Sequence, residues 1–277
     1  MIRQCTLGSS AVMRGRGLHT GEDCEIRLSP ANEGSGIIFE AGGKEIRAHV
    51  SNVRDLHRGT TLGIGDAEVH TVEHLLAALA GMGVDNVRIR VEGPEIPAAD
   101  GNALPFVELI ETAGIVEQQA EAVPIVLHEP VWIIDRDKCL LAVPGTGLSI
   151  KALISFQHPM IGEQAISLRI DPEAFKKDIA PARTFCTADE IGFILSQGLG
   201  KGGTEDNVIV VHEDHYSVPL RFNDEFVRHK VLDLIGDLAL IGQRLCADVT
   251  AIKSSHALNA GLASKISSLP ASGQQGG

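Results

Sequence analysis

The chain has 277 residues, of which 44% are hydrophobic, and this size suits two domains that each bury a core of their own. A formal net charge of −12 without basic clusters argues against general nucleic-acid binding, although a few local cations can still hold an anionic small molecule. The sequence has no membrane-spanning apolar run, no signal-peptide-like N-terminus and no CxxC pair among its five cysteines, so we expect a cytoplasmic protein without a disulfide framework.

Short β-like segments, several of which alternate apolar and polar residues, predict β-strands along most of the chain. In chain order they are EIRLSP (25–30), GIIFE (36–40), EIRAHV (45–50), DNVRIRVEG (85–93), AVPIVLHEPVWII (122–134), LSIKALISF (148–156), AISLRI (165–170) and DNVIVV (206–211). Helical patterns are fewer. They cover Thr71–Ala80, Leu104–Thr112, Pro172–Asp178, Ala188–Gln197 and Asp224–Leu245, and a last helix follows Ser255.

The polar segment Glu117–Pro124 divides the chain, and we interpret it as a linker between domains 1–116 and 125–263. Both halves show strands followed by helices, which predicts an α+β fold with two similar domains, each a β-sheet with helices. The tail 264–277, rich in Ser, Gly and Gln, is expected to be disordered.

A first cluster of chemically active side chains, His70-Thr71-Val72-Glu73-His74, opens the first predicted helix. Thr71 is a suitable N-cap, and the helix dipole favours a carboxylate in the first turn. By itself the segment is equally compatible with a capped helix that carries two surface histidines.

A second cluster, His229, Asp233 and Asp237, lies on the longest predicted helix with a spacing of i, i+4, i+8, which places all three on one face. The neighbouring residues are mostly apolar. Burying two carboxylates there without a positive partner costs several kcal/mol each, and a metal ion supplies that partner. The alternative is a narrow solvated face paired with Arg228 and Lys230.

A third, weaker cluster is Lys253-Ser254-Ser255-His256, just before the last helix.

A catalytic zinc site commonly has three N/O protein ligands and one open position, and His74, His229 and Asp233 provide that set. Fe²⁺ can occupy such a two-histidine, one-carboxylate site as well as Zn²⁺.

Two further groups complete a metal-dependent hydrolase. Glu73, next to a ligand, can accept a proton from water, and His256 oriented by Asp237 can protonate a leaving group. A competing scheme is a zinc metallopeptidase, in which the HxxEH pattern uses His70 and His74 as ligands and Glu73 as the base. That scheme leaves the carboxylates of the longest helix unexplained.

Several motifs resemble those of the UDP-3-O-acyl-N-acetylglucosamine deacetylases, which catalyse the committed step of lipid A biosynthesis. They are TVEHLLAALAGMGVDN, EIPAADG, ARTF, GGTEDNVIV, LRFNDEFVRHKVLDLIGDLALIG and HALN, in that order, within 17–259. The resemblance implies helices packed between two outer sheets, with the site at the domain junction. We expect a monomer, and the resemblance implies that it acts on a UDP-linked acylated glucosamine.

The resemblance also assigns roles to individual residues. Zn²⁺ is implied at His74, His229 and Asp233, with Glu73 as general base. His256 is implied to be the general acid, and Asp237 to hold it in place. Thr184 is implied to donate to the oxyanion, and Lys230 to contact the substrate near the sugar and phosphates.

The substrate contacts implied by the resemblance extend beyond the metal. Lys138, Phe156 and Lys253 fall where the family holds the diphosphate and uracil, and Phe185 of ARTF is implied to contact the substrate. An insertion at about 182–210 is implied to form the passage for the acyl chain, and a first insertion is expected near 51–65.

Four positions depart from the family pattern: Ala98, Ala99, Cys186 and Ser255. They leave the expected metal site intact, but they affect the expected acyl-chain length and inhibitor sensitivity and allow a paralogue with a shifted substrate. The expected reaction is hydrolysis of an N-acetyl group, and the alternatives left open are the metallopeptidase and a catalytically silent binding protein.

Overall fold

The computed structural model describes residues 2–269, which form an α+β fold of β-strands and helices. The strands of the first half are β1 (Arg3–Leu7), β2 (Ala11–Arg16), β3 (Asp23–Pro30), β4 (Ile37–Ala41), β5 (Lys44–Arg47), β6 (Val53–Asp55), β7 (Thr61–Ile64), β8 (Ala67–Val69), β9 (Val87–Glu92) and β10 (Ile115–Glu121). Those of the second half are β11 (Ile125–Val126), β12 (Val131–Asp135), β13 (Lys138–Pro144), β14 (Leu148–Ser155), β15 (Glu163–Arg169), β16 (Phe185–Thr187), β17 (Ile209–Val211) and β18 (Leu245–Ile252).

Six α-helices accompany these strands within residues 2–269. They are α1 (Glu73–Gly81), α2 (Leu104–Ala113), α3 (Pro172–Ala174, continued by a π-helical turn at Phe175–Ile179), α4 (Ile191–Ser196), α5 (Glu225–Leu238) and α6 (His256–Ser267). Within residues 2–269, every helix is too short or too polar to span a bilayer.

Each half contains a sheet of the same topology. The first has the order β2-β3-β9-β4-β5 and the second the order β12-β13-β18-β14-β15, with β11 added beside β18. In both, two antiparallel hairpins flank a central strand that comes last in the chain, and the central strand is parallel to one neighbour. A helix precedes and another follows each central strand. The prediction of two similar α+β units is therefore confirmed at the level of topology, although the sequence shows no repeat.

The helices lie between the two sheets. Helix α2 contacts β2, α6 contacts β12 and β13, α5 contacts β14 and β15, and α1 and α5 contact each other. Alternating burial along the central strands directs their apolar side chains to this shared interior, as for Ile89 and Val249. The resulting core is continuous across both halves. Helices α1 and α5 thus meet where the two units join.

A small extra sheet interrupts each unit. Strands β6, β7 and β8 form a three-stranded sheet before α1, close to the insertion expected near 51–65. Strands β16 and β17 pair in parallel on either side of α4, within the segment expected at about 182–210.

Three expectations about element boundaries are wrong. Most of the expected linker, residues 117–121, lies in β10, which pairs with β1 and so belongs to the first half. The long helix ends at Leu238 and is followed by a 3-10 turn at Ala239–Ile241, which Gly242 closes in the left-handed conformation (φ 81°) before Leu245 begins the central strand β18. Residues 264–267 of the expected tail belong to α6, and residues 270–277 lie outside the described residues.

Candidate active site

Two residues at the start of α1, Glu73 and His74, point into the domain junction, and the turn that places them is built unusually. Thr71 has a positive φ of 58° and is not the N-cap, because its hydroxyl donates to the buried carboxylate of Glu95 (2.8 Å). The cap position is Val72, whose N–H donates to the carbonyl of Thr60 (3.1 Å). The expected side-chain cap is therefore replaced by a tertiary hydrogen bond.

The metal-ligand set expected from the sequence is assembled in the structure. One ligand atom from each of His74, His229 and Asp233 lies within 4.8 Å of the others, and all three side chains are buried. Asp233 Oδ1 is 3.6 Å from His74 Nε2 and 3.4 Å from His229 Nε2. Ligands about 2.0–2.1 Å from a tetrahedral cation lie about 3.4 Å apart, so these separations fit one shared ion.

The surroundings of the set favour cation binding. His229 Nδ1 donates to the carbonyl of Ala182 (3.1 Å), which leaves Nε2 free as a ligand. Burial, against the attraction of Asp233, lowers the pKa of His229 to about 4, so the ring is neutral as a ligand must be. For Asp233, burial opposes ionisation, but Lys230 and His229 outweigh it and hold the pKa well below its usual value.

Lys230 partly neutralises this buried carboxylate. Its Nζ donates to Asp233 Oδ2 at 2.7 Å, while Oδ1 remains directed at the two histidines. Burial works against the charge of Lys230, but Asp233 raises its pKa overall. The ammonium therefore stays charged at the edge of the site.

Glu73 is the buried carboxylate closest in sequence to a ligand, with 3% of the residue exposed. Its Oε2 accepts the backbone N–H of Thr60 (2.8 Å). Burial raises its pKa, although the nearby histidines act in the opposite direction. A raised pKa is what a general base needs in order to take up a proton near neutral pH.

A second proton-transfer group lies across the junction. His256 Nδ1 donates to Asp237 Oδ2 (2.8 Å), which leaves Nε2 free for a reacting group. Burial disfavours the charged ring, but the charge and the hydrogen bond of Asp237 outweigh burial and raise the pKa of His256 to about 9. Asn259 also donates to Asp237 Oδ2 (2.9 Å), so α6 supplies both donors to this oxygen. The protonated ring is suited to donate a proton.

These groups face a cavity of about 370 Å³ with two chemically different parts. The polar part is lined by Glu73, His74, Thr184, His229, Lys230, Asp233 and His256. The other part is lined by apolar side chains between β16, α4 and β17, namely Phe185, Cys186, Ile191, Ile194, Leu195, Val208 and Val210. The cavity thus accommodates a ligand with one reacting polar end and one apolar chain.

The three residues expected to contact UDP lie outside the cavity lining. Lys138 and Lys253 are outside the cavity lining, and Lys253 Nζ forms an ion pair with Asp137 (2.7 Å). Phe156 is 37% exposed, and its ring packs against that of Phe185 at 5.6 Å. Lys138 and Lys253 lie next to the paired residues Cys139 and Ile252 at the end of β18, and Phe156 reaches a cavity residue only through its contact with Phe185.

The peptidase scheme fails on one residue. His70 Nδ1 is hydrogen-bonded to Thr61 Oγ1 (2.9 Å), and His70 is absent from the cavity lining. Over residues 2–269, the cluster of His74, His229 and Asp233 is the one group of three potential ligands close enough to share an ion.

Sequence reasoning missed several residues that shape the site. Glu95 is fully buried and accepts hydrogen bonds from the backbone of His19 and from Thr20 and Thr71. Arg58 lines the cavity and pairs with Glu190 at 2.8 Å. The acidic residue of the EIP motif is the one local signal that pointed to Glu95. Arg58 has no such signal, because its partners His19 and Glu190 lie far from it in the sequence.

The sequence also matches known proteins. Residues 4–268 match the family described as UDP-3-O-acyl N-acetylglycosamine deacetylase. A protein named UDP-3-O-acyl-N-acetylglucosamine deacetylase from Citrifermentans bemidjiense is 42% identical over 98% of this chain and 90% of its own length. Proteins with the same name from an Anaeromyxobacter species (43% identity, 95% of this chain, 88% of theirs) and from Myxococcus xanthus (42%, 96%, 87%) are similarly close.

Proposed function

Because the chain belongs to the UDP-3-O-acyl N-acetylglycosamine deacetylase family, we propose that it acts as that deacetylase in lipid A biosynthesis. The reaction is hydrolysis of the N-acetyl group of UDP-3-O-acyl-N-acetylglucosamine, which yields acetate and a free amine. The observation that carries the proposal is the joining of His74 with His229 and Asp233 beside Glu73 and His256 in one cavity.

A divalent cation fits the donor set of His74, His229 and Asp233. Two neutral imidazole nitrogens and one carboxylate oxygen are the ligands of many catalytic zinc sites, and we propose Zn²⁺, with Fe²⁺ as the chemically compatible alternative. When bound, such an ion lowers the pKa of a water ligand and stabilises negative charge on an amide oxygen.

Glu73 is the proposed general base. Its carboxylate lies beside the ligand His74, and the N–H of Thr60 fixes Oε2. Because burial raises the pKa of Glu73, the carboxylate can accept a proton from the attacking water and hold it during the reaction. Positioned proton transfer of this kind contributes about 100- to 10,000-fold to a rate.

His256 is the proposed general acid. Asp237 fixes its tautomer, so that Nε2–H can be donated to the departing nitrogen. Without this proton the leaving group would be an amide anion, which is a poor leaving group. The hydroxyl of Thr184, on the cavity wall, is proposed to donate to the oxygen on which charge develops, and Lys230 to bind the substrate near the sugar.

The rest of the substrate is assigned from the two parts of the cavity. We propose that the 3-O-acyl chain occupies the apolar part, where Ile191, Ile194 and Phe185 line the wall. The diphosphate and uracil are proposed to reach Lys138, Lys253 and Phe156 on the second sheet. Lys253 must then exchange its ion pair with Asp137 for the phosphate.

Acetate release from UDP-3-O-acyl-N-acetylglucosamine tests this function, with wild type and Glu73→Gln compared at equal metal content. Glutamine has the same shape and can still accept the Thr60 N–H, but it cannot take a proton. We expect a loss of at least about 100-fold in kcat with unchanged metal content. His70→Ala is the matched control for the peptidase scheme and should keep both its metal and its activity. Unimpaired Glu73→Gln, or loss of metal from His70→Ala, would contradict the assignment.

A further inference from the structure

Thr60 is a buried residue without an assigned role, and all of its polar groups are bonded to the active-site framework. It is 0% exposed and immediately precedes β7. Its N–H donates to Glu73 Oε2 (2.8 Å), its carbonyl accepts the N–H of Val72 (3.1 Å), and its hydroxyl donates to Asp237 Oδ1 (2.6 Å).

These three bonds connect the two proton-transfer groups. The backbone of Thr60 holds the start of α1, from which Glu73 projects, and its side chain holds Asp237 on α5. Asp237 in turn orients His256 through its other oxygen, Oδ2 (2.8 Å). The base and the acid therefore come from opposite halves of the molecule and share one intermediate residue.

The hydroxyl bond has a defined direction. Asp237 Oδ2 already accepts from His256 and Asn259, whereas Oδ1 accepts from the hydroxyl of Thr60. Removing that hydroxyl leaves a buried carboxylate oxygen without this donor, at a site where Asp237 is 0% exposed. Asp237 would then rotate or admit water, and the ring of His256 would move with it.

The loop that carries Thr60 is itself fixed. A Cβ added at Gly59 would lie 3.2 Å from Glu73 Oε1, so the loop runs directly against the base. The carbonyl of Arg58 is hydrogen-bonded to His19 Nε2 (3.0 Å), and the Arg58 guanidinium pairs with Glu190 (2.8 Å). Arg58 therefore anchors the loop just before Thr60 through both its backbone and its side chain.

We propose that Thr60 is the positioning residue that holds the base Glu73 and the acid pair His256–Asp237 in register across the domain junction. This inference rests on the proposed function, since it concerns the same site. It requires that loss of the hydroxyl slows the chemical step while metal binding and substrate binding are kept.

The adjacent Thr61 provides a matched control. It is also buried, with 5% exposure, and its hydroxyl is bonded to His70 Nδ1 (2.9 Å), a group outside the proposed catalytic set. A buried threonine with a merely structural role should behave alike at both positions.

The test compares kcat, KM for UDP-3-O-acyl-N-acetylglucosamine, and bound metal for wild type, Thr60→Val, Thr60→Ser and Thr61→Val. Thr60→Val should lower kcat by about 10- to 100-fold, as expected for misplaced catalytic groups, with KM and metal content within about twofold. Thr60→Ser keeps the hydroxyl and should restore kcat to within about threefold of wild type, and Thr61→Val should be equally active. Equal kcat in Thr60→Val and wild type, or equal losses in Thr60→Ser and Thr60→Val, would overturn the proposal.

A second readout does not depend on turnover. The Nδ1–H proton of His256, hydrogen-bonded to Asp237, gives a downfield resonance in the 1H NMR spectrum. This resonance should shift in Thr60→Val but stay in place in Thr60→Ser and Thr61→Val. An unchanged resonance in Thr60→Val would overturn the proposal for Thr60, whatever the activity of the enzyme. Absence of acetate release from wild type would instead count against the proposed function alone. If Thr60→Val does not fold, Thr60→Ala replaces it in both measurements.

Discussion

Replacing Gly236 with alanine should separate the two halves of the active site. Gly236 lies on α5 between Asp233 and Asp237 and faces α1, where a Cβ would be 2.1 Å from the carbonyl oxygen of Glu73. Carbon–oxygen contacts are normally about 3.3 Å or longer, so the two helices must move apart by about 1.2 Å. Overpacking of this kind costs about 1–3 kcal/mol of unfolding free energy.

The same displacement changes the catalytic geometry, because α1 carries Glu73 and His74 and α5 carries His229 and Asp233. A misplacement of about 1 Å can cost about 100-fold in rate, and we expect such a fall in kcat together with weaker metal binding in Gly236→Ala. The assays are acetate release at saturating metal, metal affinity by competition with a chelating dye, and urea unfolding.

Gly81→Ala is the control for stability alone. A Cβ there would be 2.3 Å from the buried ring of Phe175, so α1 is overpacked at its far end, eight residues after Glu73. It should lower the unfolding free energy by a similar amount but leave kcat within about threefold of wild type. The reasoning is refuted if Gly236→Ala keeps full activity, or if both variants lose activity in proportion to stability.

Three further outcomes follow from other parts of the molecule. Arg183→Met leaves the fully buried Glu225 without its 2.8 Å ion pair and should cost about 3–5 kcal/mol in urea unfolding, whereas a loss below about 1 kcal/mol would show that the pair is unimportant. Cys186→Gly widens the apolar part of the cavity, so kcat/KM should rise for bulkier acyl chains relative to the preferred one, and an unchanged ranking would place the acyl chain elsewhere. In metal-free protein, burial lowers the pKa of His256, but Asp237 outweighs burial and raises it from 6.5 to about 9. The stabilisation that the charged ring contributes is therefore complete below about pH 6.5 and disappears as the pH rises through about 9. The stabilisation that is lost amounts to about 3 kcal/mol. The unfolding free energy of wild type should therefore fall towards that of His256→Gln as the pH rises from about 6.5 to about 9.

The two proposed metal ligands on α5 were predictable because they follow local rules. His229 and Asp233 are one helical turn apart on a face that is otherwise apolar, and burying a carboxylate there requires a positive partner. His74 comes from a different half of the chain, and the three N/O ligands that a catalytic zinc site requires grouped it with the other two, as did the resemblance to a known family. The distances of 3.4 and 3.6 Å to Asp233 confirm that the three side chains meet.

Element boundaries were harder to predict where tertiary pairing decides. The segment Leu245–Ile252 alternates in burial and forms the central strand β18, yet the apolar pattern of α5 runs into it without a proline between them. Gly242 is the local signal that ends the helical segment. The polar residues 117–121 looked like a linker because β10 pairs with β1 at the surface and so buries few side chains.

The positioning residues of the site were not predictable from the sequence. Thr60 is an ordinary threonine in a loop, and its partner Asp237 is 177 positions away. Thr71 looked like a helix cap because threonine commonly serves as one, but the buried carboxylate of Glu95 offers its hydroxyl a stronger acceptor. Such contacts depend on how the two halves dock, which a local pattern does not encode.

The most direct test of the account is a titration of metal-free protein with Zn²⁺, in which bound metal and acetate release from UDP-3-O-acyl-N-acetylglucosamine are measured on the same samples. If His74, His229 and Asp233 hold one catalytic ion, activity should rise in proportion to bound metal and saturate at one ion per chain, and His229→Ala should neither bind nor turn over at those concentrations. Full acetate release from protein without bound metal, or from His229→Ala, would contradict it.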